Sequence, residues 1–194
     1  MCVSKIGVVY LAAGNSKRFG SNKLLYTIDK KPMFLHGLEI LEKAVQEEIL
    51  SEVVVVTQYA EIMKYASDHH LTAVFNSESD QGISHSISLG LAEICETTDA
   101  CLFLVADQPY ISKSSITRLI SNWHASSKGI ACMSWESHMG NPVLFASTYY
   151  PELFSLTGDT GGKKIAKKHM DDVLLCQADQ EKELKDLDTL TVLS

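Results

Sequence analysis

The chain is short of almost everything that would take it out of the ordinary globular class. Its 194 residues hold only 4 prolines and 11 glycines, too few for a collagen-like or low-complexity polypeptide. With 45% hydrophobic residues it is too apolar to stay disordered, and no apolar repeat is sustained enough for a coiled coil. Apolar runs such as residues 53–56 and 100–106 stop far short of the ~18–20 residues that a membrane helix needs. The apolar stretch at 6–13 is too short and wrongly flanked for a signal peptide. Cysteine is present but unorganised. Cys2, Cys95, Cys101, Cys132 and Cys176 are odd in number and form no C-x-x-C pair, so reduced, buried thiols and a cytoplasmic address are expected. Positive charge is scarce too, with 17 Lys and Arg against 24 Asp and Glu and a net charge of −7. That balance argues against a dedicated nucleic-acid binder.

The cations that exist are unevenly placed. Residues 1–31 carry Lys5, Lys17, Arg18, Lys23, Lys30 and Lys31 against Asp29 alone, a local charge of +5 that leaves −12 on the remainder. A basic patch on an acidic chain suits a small anionic ligand better than a polymer. The length fits one domain. Near-continuous apolar runs at 6–11, 53–57, 73–75, 100–106 and 130–133 read as strands covered on both faces. Phe34, Leu38, Leu41 and Val45 fall at helical spacing, as do Ile83, Ile87, Leu91 and Ile94, and Ile116, Leu119, Ile120 and Trp123. Ser112 or Ser114 would cap the last of these helices and Ser84 the one before it. Such alternation predicts an α/β fold built on a doubly wound, mostly parallel sheet, which binds ligands at the carboxyl ends of its strands. Past residue 133 the rhythm changes. Residues 135–145 read as a loop feeding a strand at 142–145, with a basic helix at 163–169, a strand at 173–177 and a short element at 185–189.

The first predicted strand runs directly into Leu11, Ala12, Ala13 and Gly14, followed by Asn15, Ser16, Lys17 and Arg18, then Gly20 and Lys23. Small residues let backbone N–H groups approach a ligand, and the cations add charge around the same loop, which is what a polyphosphate requires. Two commoner phosphate loops are excluded by spacing. Five residues, not four, separate Gly14 from Gly20, and Ser21 rather than Lys follows, so this is no Walker A loop. Ser16 stands where the dinucleotide fingerprint has its second glycine. Asp107 at the tip of the fourth strand, followed by Gln108 and Pro109, would aim a carboxylate into the crevice and suits Mg2+ beside a triphosphate. Asp186 and Asp188, on one face of the last short element, could complete a metal site. Gly82, Ser84 and Ser86 open a helix whose N–H groups and hydroxyls suit a base or phosphate. The seven histidines, His69 and His70 on a helix among them, show no metal spacing.

These residues carry a resemblance. Residues 11–25 read L-A-A-G-N-S-K-R-F-G-S-N-K-L-L and resemble the signature of nucleotidyltransferases similar to the molybdenum cofactor cytidylyltransferases, which are related to the guanylyltransferases of the same cofactor. Further matches follow in order: Lys31-Pro32-Met33, Gln81 to Ser86, Ala106-Asp107-Gln108-Pro109, Asn141-Pro142-Val143, Gly158-Asp159-Thr160-Gly161 and Asp186-Leu187-Asp188-Thr189. The resemblance implies a Rossmann-like nucleotidyltransferase fold, a bound NTP contacted by Leu11, Ala12, Ala13, Gly14, Ser16, Arg18, Lys23, Gly82, Ser84 and Ser86, and catalysis by Arg18, Lys23 and Asp107. It implies Mg2+ on Asp107, with Asp188 preferred over Asp186 as second ligand. An acceptor, a phosphorylated small molecule such as molybdopterin, would meet Asn141, Pro142, Gly158, Asp159 and Gly161, and a molybdenum hydroxylase or its maturation factor would be the partner. Ala13 stands where the guanylyl branch has glycine, which implies CTP. Gly140-Asn141-Pro142 departs from the G-H-P of the cytidylyl branch on the acceptor side. Two other readings stay open: a transferase using GTP or another acceptor, and a non-catalytic nucleotide-binding accessory protein. A pure binder needs no metal-holding carboxylate, which weighs against the second.

Overall fold

The computed structural model describes residues 4–15 and 22–187. In chain order the strands and α-helices are β1 (Ile6–Ala12), β2 (Thr27–Ile28), β3 (Lys31–Pro32), α1 (Met33–Gln46), β4 (Glu52–Thr57), α2 (Ala60–Asp68), β5 (Thr72–Phe75), α3 (Ile83–Ile94), β6 (Ala100–Val105), α4 (Lys113–His124), β7 (Ile130–Trp135), β8 (His138–Ala146), α5 (Tyr150–Phe154), α6 (Lys163–Lys168) and β9 (Val173–Gln177). Seven strands form one sheet in the order β5-β4-β1-β6-β8-β7-β9, and β2 pairs with β3 as a separate small hairpin. Every residue of β1 is buried, as expected where helices cover both faces. Alternation divides its side chains. Val8 and Tyr10 pack with α1, α2 and α4 on one face, while Val9 and Leu11 pack with α3, α5 and α6 on the other.

β1 pairs in parallel with β4 on one side and β6 on the other. The chain leaves β1 for β4 and β5, then returns to β6 across the sheet. This is the topological switch point, where adjacent crossovers diverge and open a crevice at the carboxyl ends of the strands. The mostly parallel α/β architecture read from the sequence is the architecture observed.

Four local expectations are corrected. Residues 135–138 are not a long loop; β7 and β8 form an antiparallel hairpin paired as far as Trp135↔His138. The ladder shifts register between Cys132 and Ser134, where Gly140, Asn141 and Pro142 bulge, and the Asn141–Pro142 peptide is cis. Proline has no N–H to give a ladder, so a bulge is where a strand can hold it. The helix α2 was not legible, since only Ile62 and Ala66 of its nine residues are buried; His69 and His70 follow it rather than lie on it. Ser84 does not cap α3: Gly82 holds the N-cap position without any side-chain bond. Ser112, by contrast, caps α4 by accepting from the Ser115 N–H at 3.1 Å. Finally, 185–187 forms no strand; it trails a 3-10 turn at Glu181–Leu184.

Candidate active site

A cavity of about 340 Å³ opens at the carboxyl ends of β1 and β6. Its walls come from five stretches of chain. The end of β1 and the loop after it contribute Leu11, Ala13, Gly14 and Asn15, and the 3-10 turn Lys23–Leu25 contributes Lys23 and Leu24. Ser79, Asp80, Gly82, Ile83 and Ser86 form the wall ahead of and within α3, and Val105, Asp107 and Asp159 complete the lining. Sequence-predicted residues separated by up to 148 positions, from Leu11 to Asp159, therefore meet around one space.

Asp107 and Lys23 meet directly. Lys23 Nζ lies 2.9 Å from Asp107 Oδ2, with the two side chains 12% and 25% exposed. Local structure fixes both partners. Asn22 Oδ1 accepts from the Leu24 N–H at 3.0 Å and so starts the turn that carries Lys23. The Ala106 N–H donates to the Leu11 carbonyl at 3.0 Å, holding the loop after β6 against the end of β1. Beneath them Tyr10 is wholly buried and donates its hydroxyl to the Phe34 carbonyl at 2.7 Å. Burial, reinforced by the charge of Asp107, pushes that phenol far above its ordinary pKa, so it stays a neutral donor.

Gly82 shows why α3 begins where it does. Its φ is +92°, and a Cβ there would sit 2.4 Å from the Gly158 carbonyl carbon. Only glycine fits, and the close approach lets the Ser84 N–H donate to the Gly158 carbonyl at 3.2 Å. The loop bearing Asp159 is thereby joined to the helix start. Ser86 lines the cavity and accepts from Nδ2 of buried Asn76 at 2.9 Å. Gly14 is different: a Cβ there would meet nothing within 4 Å and its φ is not positive. The protein does not need glycine there for its own packing. The space beside it belongs to the cavity.

Not every predicted residue reaches this site. Ala12 and Ser84 are buried behind the lining, and Gly158 and Gly161 support it, the latter against Ile83. Asn141 and Pro142 lie in the β8 bulge and do not line the cavity. Ser16, Arg18 and Asp188 lie outside the described residues. Nor do the patch's lysines gather among the described residues. Lys5 sits at the opposite end of β1, Lys31 pairs with Glu39 at 2.5 Å, and Lys23 is the cavity's cation among the described residues. The C-terminal segment is nonetheless brought to Asp107. The Leu187 N–H donates to the Asp107 carbonyl at 3.0 Å. Gln108 Nε2 donates to Asp186 Oδ1 at 2.7 Å and to the Leu184 carbonyl at 3.1 Å. Sequence reasoning missed Asn15, Leu24, Ser79, Asp80, Ile83 and Val105. Asn15, Leu24 and Val105 flank residues already singled out, and the strand-end rule would have reached them.

The comparisons agree with this geometry. Residues 8–173 match the model of the MobA-like NTP transferase domain. The purine catabolism protein PucB of Bacillus subtilis is 26% identical over 190 residues, covering 93% of this chain and 90% of that protein. A probable molybdenum cofactor guanylyltransferase of Thermococcus gammatolerans is 31% identical over 141 residues, 71% of this chain and 66% of its own length. Among solved structures, Rv0371c of Mycobacterium tuberculosis superposes with a TM-score of 0.79 at 22% identity, covering 98% of this chain and 96% of that one. Its manganese complex superposes with a TM-score of 0.74 at 21% identity over 91% and 90% of the two chains. With the match running over residues 8–173, a span that includes the whole lining of the cavity, the chain belongs to the family of MobA-like NTP transferase domains and is a nucleotidyltransferase.

Proposed function

We propose that this single-domain enzyme transfers CMP from CTP to a phosphorylated acceptor, molybdopterin, with release of pyrophosphate and with Mg2+ as its metal. The observation that carries the reading is the meeting of Lys23 and Asp107 beside the open space at Gly14. A cation, a carboxylate and a loop of small residues face one cavity of nucleotide-sized volume. Ala13 in that lining supports CTP, since its methyl narrows the space beside the loop.

The residues fit a hard divalent cation. Asp107 offers carboxylate oxygens, and no group of three or more His, Cys, Asp or Glu gathers among the described residues. That is the donor set of Mg2+, which takes one or two carboxylates plus phosphate oxygens and water rather than an all-protein cage. Asp107 would hold it, with Asp188 as the second carboxylate; bound there, it would neutralise phosphate charge. Lys23 and Arg18 would hold the triphosphate and offset charge that develops on the leaving pyrophosphate. Gly82 and Ser86 would border the nucleotide, and Asp159 would face the acceptor. An oxygen of the acceptor phosphate attacks the α-phosphorus in line, and the bond from the α-phosphorus to the bridging oxygen breaks. Phosphate monoesters are already anionic near neutral pH, so the chain needs no strong general base. Positioning and charge neutralisation are the whole task.

The guanylyltransferase names of several relatives favour a second reading, GTP in place of CTP. Pyrophosphate release with CTP and with GTP, with and without molybdopterin, separates the two. Release with CTP and molybdopterin is expected. Preference for GTP would overturn the cytidylyl reading and keep the transferase, whereas nucleotide binding without release would identify an accessory protein.

A further inference from the structure

The end of β4 has no part in the chemistry above, yet its polar groups all address the loop after β1. Thr57 Oγ1 donates to the Ala12 carbonyl at 2.9 Å. Gln58 Nε2 donates to the Ala13 carbonyl at 2.7 Å, and the Tyr59 hydroxyl donates to the Gly14 carbonyl at 2.7 Å. Three consecutive side chains hold three consecutive carbonyls. Gln58 Nε2 also reaches Asn15 Oδ1 at 2.8 Å, an oxygen that accepts from Ser79 Oγ at 3.3 Å. Thr57 Oγ1 in turn accepts from the Tyr59 N–H at 3.1 Å, which ties the backbone of Tyr59 to the first of the three side chains.

In a planar trans peptide the C=O and the following N–H point in opposite directions. Tying the carbonyls of Ala12, Ala13 and Gly14 to β4 therefore turns the N–H groups of Ala13, Gly14 and Asn15 away from it. Those three residues line the cavity, and Thr57, Gln58 and Tyr59 do not. The carbonyl oxygens, which would repel an anion, are thus held toward β4, and the amides are left facing away from it. We infer that Thr57, Gln58 and Tyr59 are positioning residues: a carbonyl clamp that presents the loop's amides to a polyphosphate. Successive N–H groups aimed at one space make an anion-binding concavity. A loop held this way before the ligand arrives loses less conformational freedom on binding. The clamp rests on the nucleotide reading above and deepens it.

The test uses the full chain with Tyr59→Phe, Gln58→Leu and the double variant. Both residues are partly exposed, unlike Thr57, so their side chains can change without opening the core. Calorimetry with CTP, GTP and inorganic tripolyphosphate gives affinity, and the binding stoichiometry counts folded molecules. Each single variant is expected to bind the preferred NTP and tripolyphosphate about 3–10-fold more weakly, and the double variant more weakly still, as loss of the hydrogen bonds that hold the loop implies. The ligand-free melting temperature of Tyr59→Phe should match wild type. A double variant that binds the NTP as tightly as wild type overturns the clamp alone. So does a loss confined to the NTP and absent from tripolyphosphate, because the clamp acts on phosphates. Wild type that binds none of the three ligands overturns the nucleotide reading and the clamp together.

Discussion

Asp107 and Lys23 show what a single side chain contributes here. At 2.9 Å the two form a partly buried pair facing the cavity, so Asp107→Asn removes a charge from the site and none from the packed core. Pyrophosphate release is expected to fall more than tenfold, a barrier increase above ~1.4 kcal/mol, with the melting temperature held. Retention of more than a tenth of the rate would remove Asp107 from the proposed machinery. Ala13 is a finer case. One methyl is worth only ~1–3 kcal/mol of discrimination, so Ala13→Gly should relax base choice rather than reverse it. The ratio of kcat/KM for CTP and GTP in competition measures this, and an unchanged ratio places base selection elsewhere in the lining. Asp107 and Lys23 were legible because a carboxylate at a strand tip and cations beside a loop of small residues point to an anionic ligand and its metal. Gln58 and Tyr59 were not, since any donor of suitable reach can hold a carbonyl and nothing in the residue type announces it.

Elements meet at a few contacts where substitution is unforgiving. The start of α3 is one. Gly82→Ala would have to hold a left-handed φ of +92° and place its methyl 2.4 Å from the Gly158 backbone. A loss of at least about 1–3 kcal/mol is expected, read as a lower melting temperature together with weaker nucleotide binding. A second contact joins the segment before α5 to the turn before β9. Tyr149 donates its hydroxyl to Asp172 Oδ2 at 2.6 Å, and the Gly129 N–H donates to Oδ1 at 3.0 Å. The Tyr149 bond first, then that N–H, hold the Asp172 carboxyl below its usual value of about 3.8. Burial and this partner push Tyr149 itself up to about 12, so it remains a donor at neutral pH. A depressed carboxyl stabilises the fold fully above its unfolded value and loses that contribution as pH falls through the folded one. Urea unfolding of wild type and Tyr149→Phe should therefore differ by about 1–2 kcal/mol at pH 7. The gap should narrow as the pH drops below the usual carboxyl range. A gap constant with pH would mean that the ring, not its hydroxyl, does the stabilising.

Across the whole molecule, the C-terminal segment of the described chain returns to the strand tips. Gln108 is 2% exposed and binds the Leu184 carbonyl and Asp186. Buried Glu183 accepts from the Ser112 N–H at 3.2 Å and its hydroxyl at 3.1 Å. The C-terminal segment is thus strapped over the loop that carries Asp107. Gln108→Leu removes both of its bonds to the segment and should cost about 1–3 kcal/mol. Faster proteolysis beyond residue 180 and slower pyrophosphate release should accompany it. Protease resistance equal to wild type would show that Glu183 and Leu187 hold the segment unaided.

The sequence by itself determined the layered α/β fold, because unbroken apolar runs can be buried only between two helical layers. It also singled out most of the cavity's chemistry: Gly14, Lys23, Gly82, Ser86 and Asp107 were readable from residue type and place along the chain, and Asp159 from the family resemblance. Only the tertiary structure decided the rest. The β7–β8 hairpin was hidden by Pro142, whose local signal is to break a strand, and the bulge absorbs it. The restraint of 185–187 by Gln108 and Asp107, and of the loop after β1 by the end of β4, depends on hydrogen bonds between residues 45 to 80 positions apart. Periodicity reports which face of an element is apolar. It cannot report which distant donor a backbone carbonyl will find, because that pairing exists only once the sheet has set the strand ends side by side.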